Sequence, residues 1–187
     1  MKQYSLRPYD GRWPQLGERV LVDPSAVVVG AVTIGDDASV WPQAVIRGDV
    51  NQIHIGHSTS IQDCAVLHCT HVGGPQVPEG FELRVGSEVT VAHHVTLHGC
   101  RIGDRVLVGM GSIVMDGAVV EVEVVIGANS LVPPGKTLRG GQLYMGSPAR
   151  PVRALTAAEI DYFHYSAAHY VRLKNRHLAE LEKLEQG

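Results

Sequence analysis

The 187-residue sequence has a formal charge of -3, is 44% hydrophobic and contains only 5% aromatic residues. A pI near 6.3 offers nothing to nucleic acid or to an anionic membrane surface, and no stretch approaches the roughly eighteen apolar residues of a membrane span. The start, MKQYSLRPYDGRW, lacks the apolar core of a secretory signal, and three cysteines (Cys64, Cys69, Cys100) are too few and too odd in number for a disulfide framework, so a cytoplasmic protein with reduced thiols is expected.

From Val22 onward, aliphatic residues recur every six positions. Val22, Val28, Ile34, Val40 and Ile46 form an unbroken series. After a three-residue slip it resumes at Ile55, Ile61 and Leu67. The segment HCTHVGGPQVPEGFELR then interrupts it, with Gly73-Gly74-Pro75 and Pro78-Glu79-Gly80 as breakers. Leu67 to Val85 is 18 residues where one step needs 6, so about 12 residues loop out; such loops are commonly functional. The series returns at Val85, Val91 and Leu97, and then, one residue short, at Ile102, Val108, Val114, Val120, Ile126, Val132 and Leu138. Gly often follows the aliphatic (Gly35, Gly56, Gly86, Gly103, Gly109, Gly127), and a small or β-branched residue often sits four places after it (Ala38, Ala44, Ala65, Val89, Val106, Ala118).

A six-residue unit can be one short strand plus a corner, and three units close a triangular coil. The aliphatic then points inward and stacks on its counterpart one coil later, with coils about 4.8 Å apart and backbone groups paired along the stack. The fold expected is an all-β parallel β-helix of hexapeptide repeats. Its handedness does not follow from the period; resemblance to known hexapeptide-repeat proteins implies left-handed coils. After Leu138 the Gly/Pro-rich GGQLYMGSPARPVR caps or leaves the stack. Thr156 with Glu159 makes a capping box, and a helical pattern runs to about Glu185, with Ile160, Phe163, Ala167, Tyr170, Val171, Leu178 and Leu181 on one apolar face. Residues 1–150 are thus the β-helix domain, with an inserted loop at about 69–84, and 151–187 a C-terminal helix packing on the β-helix or at a subunit interface.

Seven of the ten histidines lie between residues 54 and 98. His68 follows Leu67 and His98 follows Leu97, so both hold the same place in their units. They are 30 residues apart; removing the 12-residue loop leaves 18, one full coil. The two imidazoles should therefore stack on one face, close enough for ring nitrogens to share an ion at about 2.0–2.1 Å. His93 lies on the adjacent face and does not easily reach the pair within one chain. Across a threefold interface a neighbour's His93 could complete three histidines with one open position, the catalytic arrangement for zinc. His54 and His57 are expected to be surface residues, while His71 and His94 could be spare ligands, proton carriers or loop residues. Cys64 and Cys100, three places after their aliphatics, are expected to be small packing residues.

The order Arg47-Gly48-Asp49, Gln62-Asp63, His68, then His93 and His98 in VAHHVTLHG, followed by VLVGMGSIV and LYMGSPAR, resembles the γ-class carbonic anhydrases and their bacterial relatives from about Leu21 to Tyr170. The resemblance implies a homotrimer of left-handed β-helices with zinc at each interface, held by His68 and His98 of one subunit and His93 of the next. It implies an interface ion pair for Arg47 and Asp49. Gln62 would hydrogen-bond metal-bound solvent or substrate, and Asp63 would be a carboxylate orienting a ligand. The implied reaction is hydration of carbon dioxide to bicarbonate, zinc bringing the pKa of its water toward about 7. Iron or cobalt would also suit three imidazoles. The sequence departs from the founding type in having Val50, not an acid, after the RGD motif, with only Glu79 and Glu82 in the loop. Ser60 and His169 stand where asparagine is common. Proton export then falls to His71 or His94, or turnover is slow. Two rivals share the scaffold: an acyl-CoA thioesterase or acyltransferase, and a non-catalytic trimeric binding or assembly protein.

Overall fold

The computed structural model describes residues 5–186. Strands of mostly two or three residues stack in parallel on three faces of a solenoid. On the first face the inward row is Val22, Val40, Ile61, Val91, Val108 and Ile126, ending at Tyr144. On the second it is Val28, Ile46, Leu67, Leu97, Val114 and Val132. On the third it is Ile34, Ile55, Val85, Ile102, Val120 and Leu138. Every aliphatic of the repeat is buried except Val22, which is half-buried because its strand has a neighbour on one side only. Burying each such side chain contributes about 1.5–3 kcal/mol, and the narrow prism explains why aliphatics rather than aromatics fill it.

The corners have their own chemistry. Ala26, Ala38, Ala44, Ala65, Val89, Val106 and Ala118 are buried there, since little width remains where two faces meet. At many corners the residue three places after the aliphatic turns the chain with positive φ, as at Asp37, Ser58, Cys64, Glu88, His94, Arg105 and Asn129. Cys64 is one of these corner residues and is partly exposed, so the expectation that it packs inside is corrected by its left-handed backbone; Cys69 and Cys100 are buried.

The three-residue slip belongs to one long strand, Val45–Ile55, which passes from the second face to the third. Its register with Val27–Ile34 shifts between Gly30 and Val32. A Cβ at Gly30 (φ 77°) would lie 2.4 Å from the Gly48 carbonyl oxygen, so glycine is required there. The inserted loop leaves after the strand Val66–His68 and the chain rejoins the third face at Leu83–Val85.

The chain then turns back at Arg150–Ala154, antiparallel to Gln142–Met145, and enters the helix Ala157–Gln186. The capping box forms: the Thr156 amide donates to Glu159 Oε2 at 2.9 Å and the Glu159 amide to Thr156 Oγ1 at 3.3 Å. This helix lies against the outward side of the first face, where Ser39, Ser60 and Thr90 are buried beneath it. Thr90 Oγ1 is 3.1 Å from Ser166 Oγ, and Trp41 meets Tyr170 and His177 edge-on while its Nε1 donates to Ser39 and Ser60. Lys174, on the buried side of the helix, has 0% exposure. Its Nζ donates to the Arg19 carbonyl and, at 2.9 Å, to Asp37 Oδ1.

Candidate metal centre

His68 and His98 are direct partners in the register of the second face. Both follow an inward leucine, so both point outward from a rigid wall. Their rings sit 5.1 Å apart between centroids, with His68 Nδ1 3.0 Å from His98 Nε2. Each outer nitrogen meets a carboxylate: His68 Nε2 lies 2.9 Å from Asp49 Oδ1, and His98 Nδ1 lies 2.7 Å from Asp116 Oδ1.

Carboxylates only accept. The two outer contacts therefore place the hydrogens on His68 Nε2 and His98 Nδ1, and the inner nitrogens are left facing each other with lone pairs. Two lone pairs at 3.0 Å repel unless a cation lies between them, either a third proton or a metal ion. Tetrahedral ligands at about 2.0–2.1 Å from zinc have nitrogens a little over 3 Å apart, so the pair is close to the spacing that ion needs. A carboxylate behind each imidazole is the arrangement that fixes tautomer and raises ligand basicity. On this donor chemistry, His68 and His98 fit a borderline metal such as zinc.

Arg47 Nη1 donates to the other oxygen of Asp49. Burial opposes ionisation of Asp49, but the hydrogen bonds from His68 and Arg47 and the guanidinium charge outweigh it, holding the carboxyl below its usual range. Asp116 is the residue the sequence reading missed. It is 18 residues after His98, but this coil is one residue short and sets Leu97 beside Val114, so the arithmetic that paired the histidines lands on Met115, one place before it.

The structure does not bring the other candidates to this pair. His93 Nδ1 lies 2.9 Å from Asp63 Oδ2, both about half exposed on the neighbouring corner. Among the described residues, no three His, Cys, Asp or Glu side chains of one chain converge as metal ligands. Gln62 is buried at 3% exposure, and its Nε2 has no hydrogen-bond partner. An amide nitrogen in that state normally costs about 1–3 kcal/mol. His94 is an exposed corner residue, and His71 is exposed in the inserted loop.

Comparison with known proteins bears on this site. The family model for the bacterial transferase hexapeptide (six repeats) matches residues 14–48. The protein YrdA of Escherichia coli is 52% identical over 92% of the chain and 94% of its own length. A probable carbonic anhydrase of Methanocaldococcus jannaschii is 43% identical over 84% of the chain and 94% of its length. The mitochondrial γ carbonic anhydrase 2 of Arabidopsis thaliana is 40% identical over 91% of the chain but only 60% of its length. Among solved structures, a hexapeptide transferase family protein of Anaplasma phagocytophilum superposes with a TM-score of 0.84 at 38% identity, covering 94% of this chain and 98% of its own.

Proposed function

The chain belongs to the γ-carbonic-anhydrase-like family of hexapeptide-repeat proteins, and from that premise we propose that it is a zinc enzyme hydrating carbon dioxide to bicarbonate. The observation that carries the proposal is the His68–His98 pair, whose inner nitrogens face each other at 3.0 Å with a carboxylate behind each ring. Zinc bound there would supply Lewis-acid activation of water near neutral pH.

The chain's own residues would do the rest. Arg47 and Asp49 hold His68, Asp116 holds His98, and both rings are stiffened by a buried leucine beside them in the strand. Gln62 Nε2, buried without a partner, would donate to an oxygen of the substrate. The third imidazole would be His93 of a second copy, oriented by Asp63. Beside the histidine pair the outward row of the same face is Val45, Val66, Thr96, Ile113 and Leu131. Val66 and Ile113 are more than 40% exposed, and an apolar row flanking an incomplete site supports a homotrimer closing over it. Proton export would pass through exposed groups, His94 the nearest in sequence to a ligand, since Val50 cannot carry a proton.

The test is metal analysis and stopped-flow carbon dioxide hydration on the zinc-loaded protein, with His68→Ala and His93→Ala beside it. Stoichiometric zinc, measurable hydration, and loss of both in either variant are expected. Zinc that survives in His93→Ala at wild-type affinity would remove the shared site, and a loaded wild type with no hydration but turnover of acyl thioesters would replace the reaction.

A further inference from the structure

The inserted loop looks like an appendage, but its base is knotted into the histidine pair. Thr70 and Phe81 close the loop by a reciprocal bridge, with the Thr70 amide donating to Phe81 O at 2.9 Å and the Phe81 amide to Thr70 O at 3.2 Å. Thr70 Oγ1 donates at 2.8 Å to Asp116 Oδ1, the same oxygen that faces His98 Nδ1. On the other side Asn51 Nδ2 donates at 3.0 Å to the Thr70 carbonyl, and Asn51 is two residues along one strand from Asp49, the partner of His68. Thr70 therefore touches the carboxylate behind His98 directly and, through Asn51, the strand that carries Asp49.

The surrounding backbone leaves this arrangement no slack. A Cβ at Gly99 (φ 50°), the residue after His98, would lie 2.3 Å from Asp116 Oδ1 and 2.7 Å from Phe81 Cβ. At Gly117 (φ 67°), after Asp116, a Cβ would lie 3.0 Å from the Phe81 ring. Both glycines are thus needed for Asp116 and Phe81 to approach the ligand strand. The tip of the loop, residues 72–79, makes its own turns instead, as in Gly73 N to Pro78 O at 2.7 Å.

We infer that Thr70 is a positioning residue: through Asp116 it fixes His98 in its Nδ1–H tautomer with Nε2 aimed at His68, making the loop base a part of the metal-ligand scaffold. The geometry limits Asp116 Oδ1 to this role, because two donors already occupy it. The metal consequence rests on the zinc reading above, but the tautomer does not.

The experiment is long-range nitrogen–proton NMR of the histidine side chains in metal-free protein, followed by zinc affinity from chelator competition. Wild type is expected to show a hydrogen held on His98 Nδ1, with the third proton shared between the two inner nitrogens. Thr70→Val should shift His98 toward a mixture of tautomers and weaken zinc about fivefold, the worth of one lost hydrogen bond, while Thr70→Ser restores both. Asp116→Asn should weaken zinc roughly 10- to 100-fold. Gln76→Ala, at the exposed tip, should change neither. A folded Thr70→Val with the His98 tautomer unmoved overturns the inference, as does a Gln76→Ala shift as large as that of Thr70→Val. A wild type that holds the tautomer yet takes up no zinc sinks the metal reading and leaves this one standing.

Discussion

The first and second faces of the solenoid share one backbone plan and nearly the same inward residues, yet they meet the outside differently. On the first, the outward row turns small and polar at Ser39, Ser60 and Thr90 between the aliphatic Leu21, Leu107 and Val125, and the chain's own helix covers those three. On the second, the outward row is aliphatic at Val45, Val66 and Ile113, nothing of this chain covers it among the described residues, and the histidine pair stands at its edge. The inward position of each repeat determines that a coil forms. The position beside it determines what that face is for.

Several substitutions would break or sharpen this contrast. The largest effect is expected from Leu97→Ala, which empties a fully buried site beside His98; it should cost about 2–5 kcal/mol in urea unfolding and disturb the histidine resonances. On the covered face, Lys174→Met keeps the volume but leaves the Arg19 carbonyl without its donor and Asp37 with the Arg19 guanidinium alone. Breaking a buried pair costs about 3–5 kcal/mol; because Asp37 keeps Arg19 and some solvent, about 2 kcal/mol is expected. The His68 and His98 resonances should not change, and if they do the two faces are not independent.

Acid should act on the covered face through Asp37. Arg19's hydrogen bond, opposed by burial and aided by Lys174, holds the Asp37 carboxyl down at about 2, below the ordinary value of about 3.9. A depressed carboxylate stabilises the fold above its unfolded pKa and loses that contribution as pH falls toward its folded one. The stability gap between wild type and Asp37→Asn should therefore narrow from pH 4 toward pH 2. Thr156→Ala, which removes the helix cap, should cost about 1 kcal/mol, measurable by urea unfolding. The smallest effect on chain stability, within about 0.5 kcal/mol, is expected from Ile113→Lys on the open face. Analytical ultracentrifugation should nonetheless show that variant as monomer if this face is an assembly surface, and an unchanged mass would return the aliphatic row to mere exposure.

The inward rows were legible because a six-residue period has few physical solutions, and coil arithmetic placed His68 beside His98. The loop did not obscure it, since removing whole units restored the register. What escaped was whatever depends on side chains meeting across coils. Asp116 sits one place past the register counterpart of His98, and an aspartate in a repeat corner has an ordinary reading as a turn residue. Lys174 gave no sign at all: a lysine on a helix face reads as solvated, and only docking against the Arg19–Asp37 corner makes it a buried donor. Cys64 was misplaced because the six-residue pattern does not show which corner position takes the left-handed backbone.

The lysine anchor also bears on the order in which the molecule assembles. Coil-to-coil pairings close short segments, such as Ile113 to Leu131, and the loop lengthens the three closures that cross it, Ile55–Val85, Ile61–Val91 and Val66–Thr96, each at an entropic cost of about 0.5 kcal/mol more. The Lys174–Asp37 bond spans 137 residues, so its closure costs least entropy once the coils between are stacked. A contact made that late weighs on the rate of coming apart rather than of coming together. Lys174 is thus a clasp on a finished stack, setting how long the folded chain lasts more than how fast it forms.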